Sequence, residues 1–320
     1  MRILSGIQPS GALHLGNYFG MMRPAIELQA LGEALYFIAD YHALTTVQDP
    51  AALRDHSRNV AVDFLACGLD PARACLFRQS EVPEVTELAW ILSTVTPMGL
   101  LERCHSYKDK IARGFAPNHG LFAYPVLMAA DILIYDSDLV PVGRDQKQHI
   151  EVTRDVAVKF NERYGEILRI PAPSIRDEAG VVKGLDGQKM SKSYGNTIDL
   201  FLQPKTLRKK IMGIVTDSTP VSEPKRPEDS TIVELYRLFA SAEEVAVMEA
   251  EFRAGGKGYG EFKGRLADAM EAHLAPMRAR REELLRDPGA IEAVLRAGAA
   301  HARALAVRTM DRVRTAVGLR

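Results

Sequence analysis

The sequence predicts an α/β fold in which a doubly wound parallel sheet is followed by helices. Short apolar runs alternate with longer helical patterns through the first half of the chain, as expected for parallel strands joined by crossover helices. After residue 200 the pattern becomes helical. The chain has 320 residues, of which 47% are hydrophobic, so it is long enough for two domains with substantial cores.

Four short apolar runs in the first half predict strands over 2–7, 34–39, 74–77 and 139–142. Apolar residues at helical spacing predict helices over 17–31, 51–67, 125–135 and 145–164, with a kink at Pro24. Ligands of such sheets bind at the carboxyl ends of the strands. Polar residues that follow a strand are therefore the first candidates for a site.

After residue 200, the proline-rich, charged segment 220–229 predicts a loop. Ser/Thr-x-x-Glu patterns that start at Thr231 and at Ser241 predict capping boxes at the beginning of two helices. A glycine-rich stop at 255–260 precedes long helical patterns over 261–320.

The last thirty residues, 291–320, carry six arginines and two acidic residues, a local net charge of +4. Such a face could meet a nucleic-acid backbone. Arginines on an alanine-rich helix more often form a solvated face, and the sequence leaves both interpretations open.

Charge and cysteine content argue against several classes of protein. Lysine plus arginine total 41, as do aspartate plus glutamate, so a net charge of zero disfavours a protein that coats DNA but allows local basic patches. Cys67, Cys75 and Cys104 form no CxxC pair, which suits a reducing cytoplasm and predicts no zinc site. We expect a cytoplasmic protein, because no signal peptide precedes the first strand and no apolar run reaches the roughly 18 residues of a membrane span.

The segment 5–17, SGIQPSGALHLGN, leads from the first strand into the first helix. Its three glycines permit positive φ angles and a close approach of a ligand to the backbone. The following helix offers N–H groups and a positive dipole end to a phosphate, and His14 adds a donor. The segment matches neither GxGxxG nor GxxxxGK[ST], which disfavours a nicotinamide site and a P-loop. An ordinary glycine-rich turn is the alternative.

A second candidate phosphate-binding segment is 189–193, KMSKS. Two lysines on a mobile loop can surround a triphosphate and stabilise the charge that develops as pyrophosphate leaves. Lys-x-Ser-Lys strings are common on solvated loops, so this segment is informative only together with the glycine-rich segment. The flanking Gly184, Gly187 and Gly195 would act as hinges. Together the two segments predict ATP chemistry.

Asp131 lies within an otherwise apolar helical pattern, where a carboxylate is costly to bury unless it is paired. It either faces a surface or caps a neighbour, or it accepts a hydrogen bond from a substrate N–H inside an apolar slot. The residues that would line such a slot are Tyr124, Met128, Val140 and Val142. The end of the strand then leads into polar residues, Arg144, Asp145 and Gln146.

Three weaker signals accompany these segments. Lys108 and Lys110 are by default a solvated charge pair. His149 is more typical of a satisfied structural histidine than of a catalyst. His42 follows the second strand at its ligand side, so it either lines the pocket or is structural.

These segments together resemble the bacterial tryptophanyl-tRNA synthetases, which are class I aminoacyl-tRNA synthetases. SGIQPSGALHLGNYFG is similar to the first family motif, with His14-Leu15-Gly16-Asn17 in the place of its HIGH sequence. LMAADILIY and VPVGRDQKQHIEVTRD are specific to the tryptophan enzymes, whereas KMSKS is shared by class I in general. GGKGYGEFK followed by helices resembles the C-terminal region, so the resemblance covers nearly the whole chain. The pattern by which the related tyrosine enzymes recognise tyrosine is not found in this sequence.

The resemblance implies a Rossmann-like catalytic domain over 1–200 and an all-helical domain over 201–320 that helps to bind the tRNA anticodon. It implies a homodimer whose partners are L-tryptophan, ATP with Mg²⁺ and tRNA(Trp), with no metal held by the protein and no membrane or DNA partner. Tryptophan would be activated to tryptophanyl-adenylate with release of diphosphate, and then transferred to tRNA with release of AMP.

The resemblance also implies roles for individual residues. Asp131 would accept the indole N–H, and Lys110, Lys189 and Lys192 would act on the triphosphate. The residues implied for ATP are Gln8, Pro9, Ser10, His14, Gly16, Asn17, Gly143, Arg144, Asp145, Val182, Lys189, Met190, Ser191, Lys192 and Ser193. Those implied for the tryptophan pocket, besides Asp131, are Tyr124, Met128, Gln146, His42, Val140, Val142, Leu4 and Ala39.

Two of these positions depart from the family pattern. Leu4 stands where an aromatic residue often touches the indole, and Ala39 stands where a larger aliphatic residue is usual. Both changes remove bulk, so we hypothesise a roomier pocket that tolerates a substituted indole.

Two other functions stay open at this point. One is a nucleotidyltransferase that uses the same fold without tRNA, and the other is a paralogue that binds tryptophan or a protein partner and charges tRNA poorly. The segments MAAD and DQKQH and the helical tail argue against the first. The basic tail and the intact lysine segment argue against the second.

Overall fold

The computed structural model describes residues 1–104, 108, 112, 114, 118–142, 147–175 and 182–320. It contains a five-stranded parallel sheet of order β3-β2-β1-β4-β5. The strands are β1 (Arg2–Ile7), β2 (Glu33–Ile38), β3 (Ala74–Arg78), β4 (Leu139–Val142) and β5 (Ala172–Ile175). The chain adds β2 and β3 on one side of β1 and then β4 and β5 on the other. The strand order therefore reverses beside β1, and such a switch point is where parallel sheets bind ligands.

The helices that the structure describes fall between and after these strands. They are α1 (Leu15–Asn17), α2 (Arg23–Leu28), α3 (Asp40–Ala43), α4 (Pro50–Ala66), α5 (Glu84–Ser93), α6 (Met98–Glu102), α7 (His119–Leu133), α8 (Lys147–Tyr164), α9 (Pro204–Met212), α10 (Thr231–Tyr236), α11 (Ala242–Ala254), α12 (Tyr259–Leu285) and α13 (Pro288–Val317). A π-helix over Tyr18–Met22 joins α1 to α2, and 3₁₀-helices cover Gln79–Glu81, Lys192–Tyr194 and Pro227–Asp229. Within the described ranges, no helix is both long enough and apolar enough to cross a membrane.

The chain forms two compact units, each assembled from separate segments. The first unit contains Met1–Gly11, Ala25–Glu178 and Asp287–Arg320, and so it holds the sheet and α13. The second unit contains Ala12–Pro24 and Ala179–Arg286, and so it holds α1 and α9 to α12. This division follows contacts in space, whereas the predicted domains divide the chain by function. The anticodon-binding role of the C-terminal region therefore stays a prediction.

The C-terminal helix α13 packs on the edge strand β3 of the first unit. Its buried face contributes alanine, leucine, methionine and valine side chains to the core of that unit. Gly298 lies so close to β3 that an added Cβ would stand 2.0 Å from the carbonyl oxygen of Leu76. Ion pairs that join α13 to the rest of the unit include Arg303–Glu84, Arg312–Asp136, Arg314–Glu87 and Glu292–Arg78. Arg320 also pairs with Asp311, so four of the six arginines in the tail neutralise acids of their own unit, which favours a structural role for them.

The predicted strands β1 to β4 are confirmed to within one residue at each end. β5 is not predicted by the sequence, because its segment IPAPSI contains two prolines, which oppose strand formation. The structure accommodates Pro173 because β5 is the edge strand. The C-terminal long helices are also confirmed, with Gly255 ending α11 at a positive φ of 73°.

Helix starts show which capping signals are used. The capping box at Ser241 is confirmed, since its Oγ accepts the Glu244 N–H while the Glu244 carboxylate accepts the Ser241 N–H. The capping box at Thr231 is wrong: Ser230 is the N-cap residue, and the Glu234 carboxylate lies 2.7 Å from Lys183 Nζ instead.

Pro24 is preceded by a change in the type of helix. The predicted helix is present, but a π-helical turn precedes the proline, and the Arg23 N–H bonds to Tyr18 O. Pro24 has no N–H to donate, so a local change of register is the expected response to the predicted kink.

Candidate functional site

Asp131 of α7 is buried, with an exposure of 1%, and a polar network surrounds its carboxylate. Its Oδ2 lies 2.9 Å from His42 Nε2, and the amide nitrogen of Gln79 lies 2.8 Å from Oδ1 and 2.9 Å from Oδ2. An ionised carboxylate only accepts hydrogen bonds, so both neighbours donate. This pairing explains how an acid is stable in an apolar helix, and it excludes the interpretation that Asp131 faces a surface.

The members of this network come from the carboxyl ends of three neighbouring strands. Gln79 directly follows β3, and His42 lies in α3, which follows β2. Gln8 directly follows β1, and its amide nitrogen donates to the His42 carbonyl at 3.1 Å. The fold thus gathers polar groups from separate parts of the sequence at one edge of the sheet, as expected for a ligand site.

Burial raises the pKa of Asp131 above its ordinary value, and the nearby carboxylate of Asp40 acts in the same direction. The hydrogen bonds from His42 and Gln79, together with the charge of His42, oppose that rise. A buried carboxylate held in this way is a strong acceptor for one further N–H, because little water competes for its remaining lone pair.

Tyr124 connects the Asp131 network to α8. Its hydroxyl lies 2.8 Å from His149 Nε2, and its ring meets the His42 ring edge-on with centroids 6.2 Å apart. His149 is thus a partner of Tyr124, consistent with the structural histidine that we expected. Met128 lies one helical turn before Asp131 and is half-buried.

The other predicted pocket residues divide into two groups. Leu4, Ala39 and Val140 are buried in the core of the first unit. The side chain of Val142 and all of Gln146 lie outside the described residues. The roomier pocket that Leu4 and Ala39 suggest stays a hypothesis.

In the second unit, backbone pairing brings the two predicted phosphate-binding segments together. Residues 13–15 run antiparallel to residues 198–200, with two N–H···O distances of 2.9 Å. Since 198–200 follow the lysine segment 189–193 closely, the pairing places that segment beside α1. The Cβ of Met190 lies 3.6 Å from the position that a Cβ on Gly16 would take.

His14 lies at the start of α1, where it contacts Asn17 and limits the size of the residue at position 16. Its backbone N–H donates to Asn17 Oδ1 at 3.1 Å. Its imidazole lies 2.9 Å from the place of a Cβ on Gly16, so a larger residue there would displace the ring. The Nδ1 atom of His14 is buried and has no hydrogen-bond partner among the described residues. A ligand at this position could satisfy it.

Asn196 holds the lysine segment in shape. Its Oδ1 accepts the Ser191 N–H at 2.8 Å, and its Nδ2 donates to Lys189 O at 3.1 Å and to Asp186 Oδ1 at 2.8 Å. Gly184 leaves the space for this side chain, because a Cβ there would lie 2.4 Å from the Asn196 amide. The segment is therefore organised by a buried amide, and the hinge role of the flanking glycines stays a prediction.

Electrostatics couple His14 to the lysine segment. Burial lowers the pKa of His14, the positive charge of Lys192 lowers it further, and Asp199 opposes both. The surrounding protein also lowers the pKa of Lys192 by partial desolvation, although much of its side chain reaches solvent. The lowered pKa favours the neutral form of His14, in which one ring nitrogen donates a hydrogen bond and the other accepts one.

The remaining residues predicted for ATP are partly described. Ser10 N–H donates to Gln8 O at 2.9 Å, which forms a tight turn that contains Pro9. Val182 is buried, and its carbonyl accepts the Met190 N–H at 2.8 Å. The exposed Lys189 and Ser193 lie on the surface of the lysine segment. The predicted residues outside the described part of the chain are Lys110, Gly143, Arg144 and Asp145.

Comparison with known proteins identifies the family. Residues 1–275 match the tRNA synthetases of class I (W and Y). The chain belongs to this family. It is 55% identical over 320 residues to a tryptophan–tRNA ligase of Rhodopirellula baltica, with 100% of both chains covered. It is 51% identical over 319 residues to one from Fusobacterium nucleatum, with 99% of this chain and 98% of the other covered.

A solved structure extends this comparison to three dimensions. The tryptophanyl-tRNA synthetase of Campylobacter jejuni, in a crystal structure with ADP and tryptophan, matches with a TM-score of 0.95 at 47% identity. The match covers 99% of this chain and 100% of the other. The parallel sheet and the long C-terminal helices of this class I synthetase are therefore shared along the whole chain.

Two residues that contact the predicted groups are absent from the sequence-based prediction: Gln79, which contacts Asp131, and Asn196, which contacts the lysine segment. Gln79 could have been found by applying the strand-end rule to β3 as well as to β2. Asn196 gives no signal in the sequence, since a polar residue after Gly195 is typical of any turn. Among the residues that the structure describes, no cluster of His, Cys, Asp and Glu could hold a metal ion.

Proposed function

We propose that this class I synthetase is a tryptophan–tRNA ligase. It activates L-tryptophan with ATP to tryptophanyl-adenylate and diphosphate, then transfers the tryptophanyl group to tRNA(Trp) and releases AMP. The observation that carries this proposal is the buried carboxylate of Asp131, with its donors His42 and Gln79, in a chain that is 55% identical over its full length to a tryptophan–tRNA ligase.

Asp131 gives the enzyme its selectivity for tryptophan. The indole N–H donates to this carboxylate, and an apolar slot encloses the ring. A phenylalanine side chain has no donor, so it would leave a buried charge unpaired, which costs far more than a missing methylene. The residues that we assign to the slot besides Asp131 are Tyr124, Met128, Gln146, His42, Val140, Val142, Leu4 and Ala39.

The ATP phosphates are bound by the His14 segment and the lysine segment. His14 offers an otherwise unsatisfied ring nitrogen, and the N–H groups at the start of α1 add to it. Lys189 and Lys192 place positive charge where the triphosphate accumulates negative charge. By resemblance, the rest of the set is Gln8, Pro9, Ser10, Gly16, Asn17, Lys110, Gly143, Arg144, Asp145, Val182, Met190, Ser191 and Ser193. Mg²⁺ enters with ATP as the counter-ion of its phosphates.

The reaction needs no protein nucleophile. A carboxylate oxygen of tryptophan attacks the α-phosphorus of ATP, the bond to the bridging oxygen breaks, and pyrophosphate leaves under the charge of the lysines. A hydroxyl of the terminal tRNA ribose then attacks the acyl carbon of the adenylate, and AMP departs. Alignment of the two reacting groups supplies much of the rate enhancement.

The partners of this reaction suggest how the chain is assembled and where it acts. Charging of tRNA(Trp) belongs to translation, so we place the enzyme in the cytoplasm and assign residues 201–320 to anticodon binding. Trp90 of α5 is 74% exposed and Met98 of α6 is 63% exposed, and such large apolar side chains are typical of subunit interfaces. We therefore propose a homodimer, which sedimentation of the chain and of Trp90→Lys would test.

The proposed function is tested by two assays on the purified chain. Tryptophan-dependent ATP–pyrophosphate exchange should proceed, with phenylalanine and tyrosine at least about a hundredfold poorer as substrates. Charging of tRNA(Trp) should follow in the presence of the same components. Exchange without charging would indicate the paralogue, and exchange with another amino acid would overturn the proposed selectivity.

A further inference from the structure

The geometry points to a positioning residue that the proposed function does not yet include. We propose that Gln79 fixes the Asp131 carboxylate as the acceptor of the indole N–H and thereby sets the selectivity of the enzyme for a ring that carries a donor. This proposal rests on the proposed function. Gln79 is 1% exposed, and its amide nitrogen reaches both carboxylate oxygens.

The orientation of the Gln79 amide is determined by its other end. Its Oε1 accepts the backbone N–H of Tyr41 at 3.0 Å, and a backbone N–H can only donate. The amide nitrogen must therefore point at Asp131, and a flipped amide would lose the Tyr41 bond and face a carboxylate with an acceptor. The side chain thus presents a fixed donor to Asp131.

The backbone on both sides of Gln79 is also anchored. The guanidinium of Arg78 forms hydrogen bonds of 2.9 Å and 2.5 Å with the Glu292 carboxylate on α13. On the other side, Ser80 donates its N–H and its hydroxyl to Asp40 at 3.0 Å and 2.5 Å. These contacts hold the end of β3 in place, so Gln79 has little freedom to follow Asp131 if that carboxylate turns. The result is a preorganised acceptor.

Loss of the Gln79 donor should change both the charge and the direction of Asp131. The groups that face the carboxylate are His42 and Asp40 from α3, and Gln79. The negative charge of Asp131 also contributes to the raised pKa of Tyr135. Without Gln79, His42 is the one side-chain donor to this buried carboxylate that the described residues provide, and Asp40 lies nearby. A protonated or rotated Asp131 is a poorer acceptor, so the advantage of an indole N–H over a ring without a donor should shrink.

Two amino acids of nearly equal shape test this directly. L-Tryptophan donates from its ring, whereas in 3-benzothienyl-L-alanine sulfur replaces the ring N–H. The ratio of their kcat/KM values in ATP–pyrophosphate exchange should fall by about tenfold or more in Gln79→Met, the scale of one hydrogen bond to a charged group. Methionine has a similar volume, so the variant removes the donor without emptying the site.

Gln29 offers a matched control in the same unit. It is also a bridging glutamine, since its Oε1 accepts the Asp70 N–H at 3.0 Å and its Nε2 donates to Gly68 O at 3.2 Å. Gln29→Met should leave the substrate ratio within about twofold of the wild type. A purely structural role for Gln79 predicts that both substrates lose activity equally, and that result would overturn the proposal. Failure of the wild type to use tryptophan would instead overturn the proposed function.

Gln79→Glu gives a second readout with an unusual sign. Two facing carboxyl groups share a proton, so the introduced carboxyl can donate to Asp131 only while it is protonated. The substrate ratio of this variant should therefore rise as the pH falls from about 8 to about 6. In the wild type the ratio should stay level or fall, because the Gln79 amide donates at every pH and a proton taken up by Asp131 would weaken it as an acceptor. A parallel pH dependence in the two enzymes would contradict the proposal.

Discussion

Asn196→Ala is the sharpest test of how the lysine segment is held. The change removes the contacts of a buried amide to Ser191 N–H, Lys189 O and Asp186 Oδ1. We count only the two backbone contacts, because water can replace the contact to the exposed Asp186. At about 1 kcal/mol each they amount to about 2 kcal/mol, which corresponds to a change of about 30-fold.

The assay is ATP–pyrophosphate exchange at saturating tryptophan. We expect kcat/KM for ATP to fall about 30-fold in Asn196→Ala, whereas KM for tryptophan should change less than about twofold, because the Asn196 amide bonds to the lysine segment and Asp186. Asn161 provides the control: its amide also bridges a turn, from Ile167 N–H to Leu168 O, but away from the candidate site. Asn161→Ala should reduce stability and leave kcat/KM for ATP unchanged. Equal loss for ATP and tryptophan in Asn196→Ala would refute the reasoning.

Gly298→Ala should lower the free energy of unfolding by about 3 kcal/mol, because its Cβ would meet the Leu76 carbonyl at 2.0 Å; chemical denaturation measures this. The free energy of unfolding should fall as the pH drops below 6.5. The pKa of His14 is lowered in the folded chain, so the unfolded chain binds more protons at this residue. In urea titrations across pH, His14→Gln should weaken this dependence of stability on pH. If Leu4 and Ala39 leave extra room, ring-substituted tryptophans should keep a larger fraction of kcat/KM here than in an ordinary bacterial enzyme.

Each of these predictions has its own control or contrary outcome. Gly99→Ala should be neutral or slightly stabilising, since its nearest contact would be the Arg103 guanidinium at 3.5 Å. A similar loss in both glycine variants would argue against the close approach of α13 to β3. An unchanged pH slope in the His14 variant would assign the acid sensitivity to other groups. Equal preference for plain tryptophan in the two enzymes would exclude the roomier pocket.

The sequence predicted the sheet well because its strands are short apolar runs with strong local signals. β1 to β4 were found in this way, and so was the buried acid of α7. β5 was not found, because prolines in its segment hide an edge strand that only pairing with β4 stabilises. Local propensity carries no information about such tertiary pairing.

The candidate site was predictable only in part, for the same physical reason. Asp131 and the lysine segment were singled out by residue type and motif. Gln79 contacts Asp131, which lies 52 positions away along the chain, and Asn196 contacts residues 5 and 10 positions away. The sequence pattern does not reveal such contacts. The packing of α13 against the sheet could not be predicted from the sequence either. Its arginines are typical of a solvated face, and their acidic partners lie far away along the chain.

Asp131→Asn most directly tests whether the Asp131 carboxylate recognises the indole N–H. The variant keeps the size of the side chain and removes the charge that the ring N–H would meet. We predict that kcat/KM for tryptophan falls about a hundredfold, while the affinity for ATP, measured by isothermal titration calorimetry, stays within about twofold of the wild type. Equal losses for tryptophan and ATP would contradict the assignment of Asp131 as the residue that recognises the amino acid.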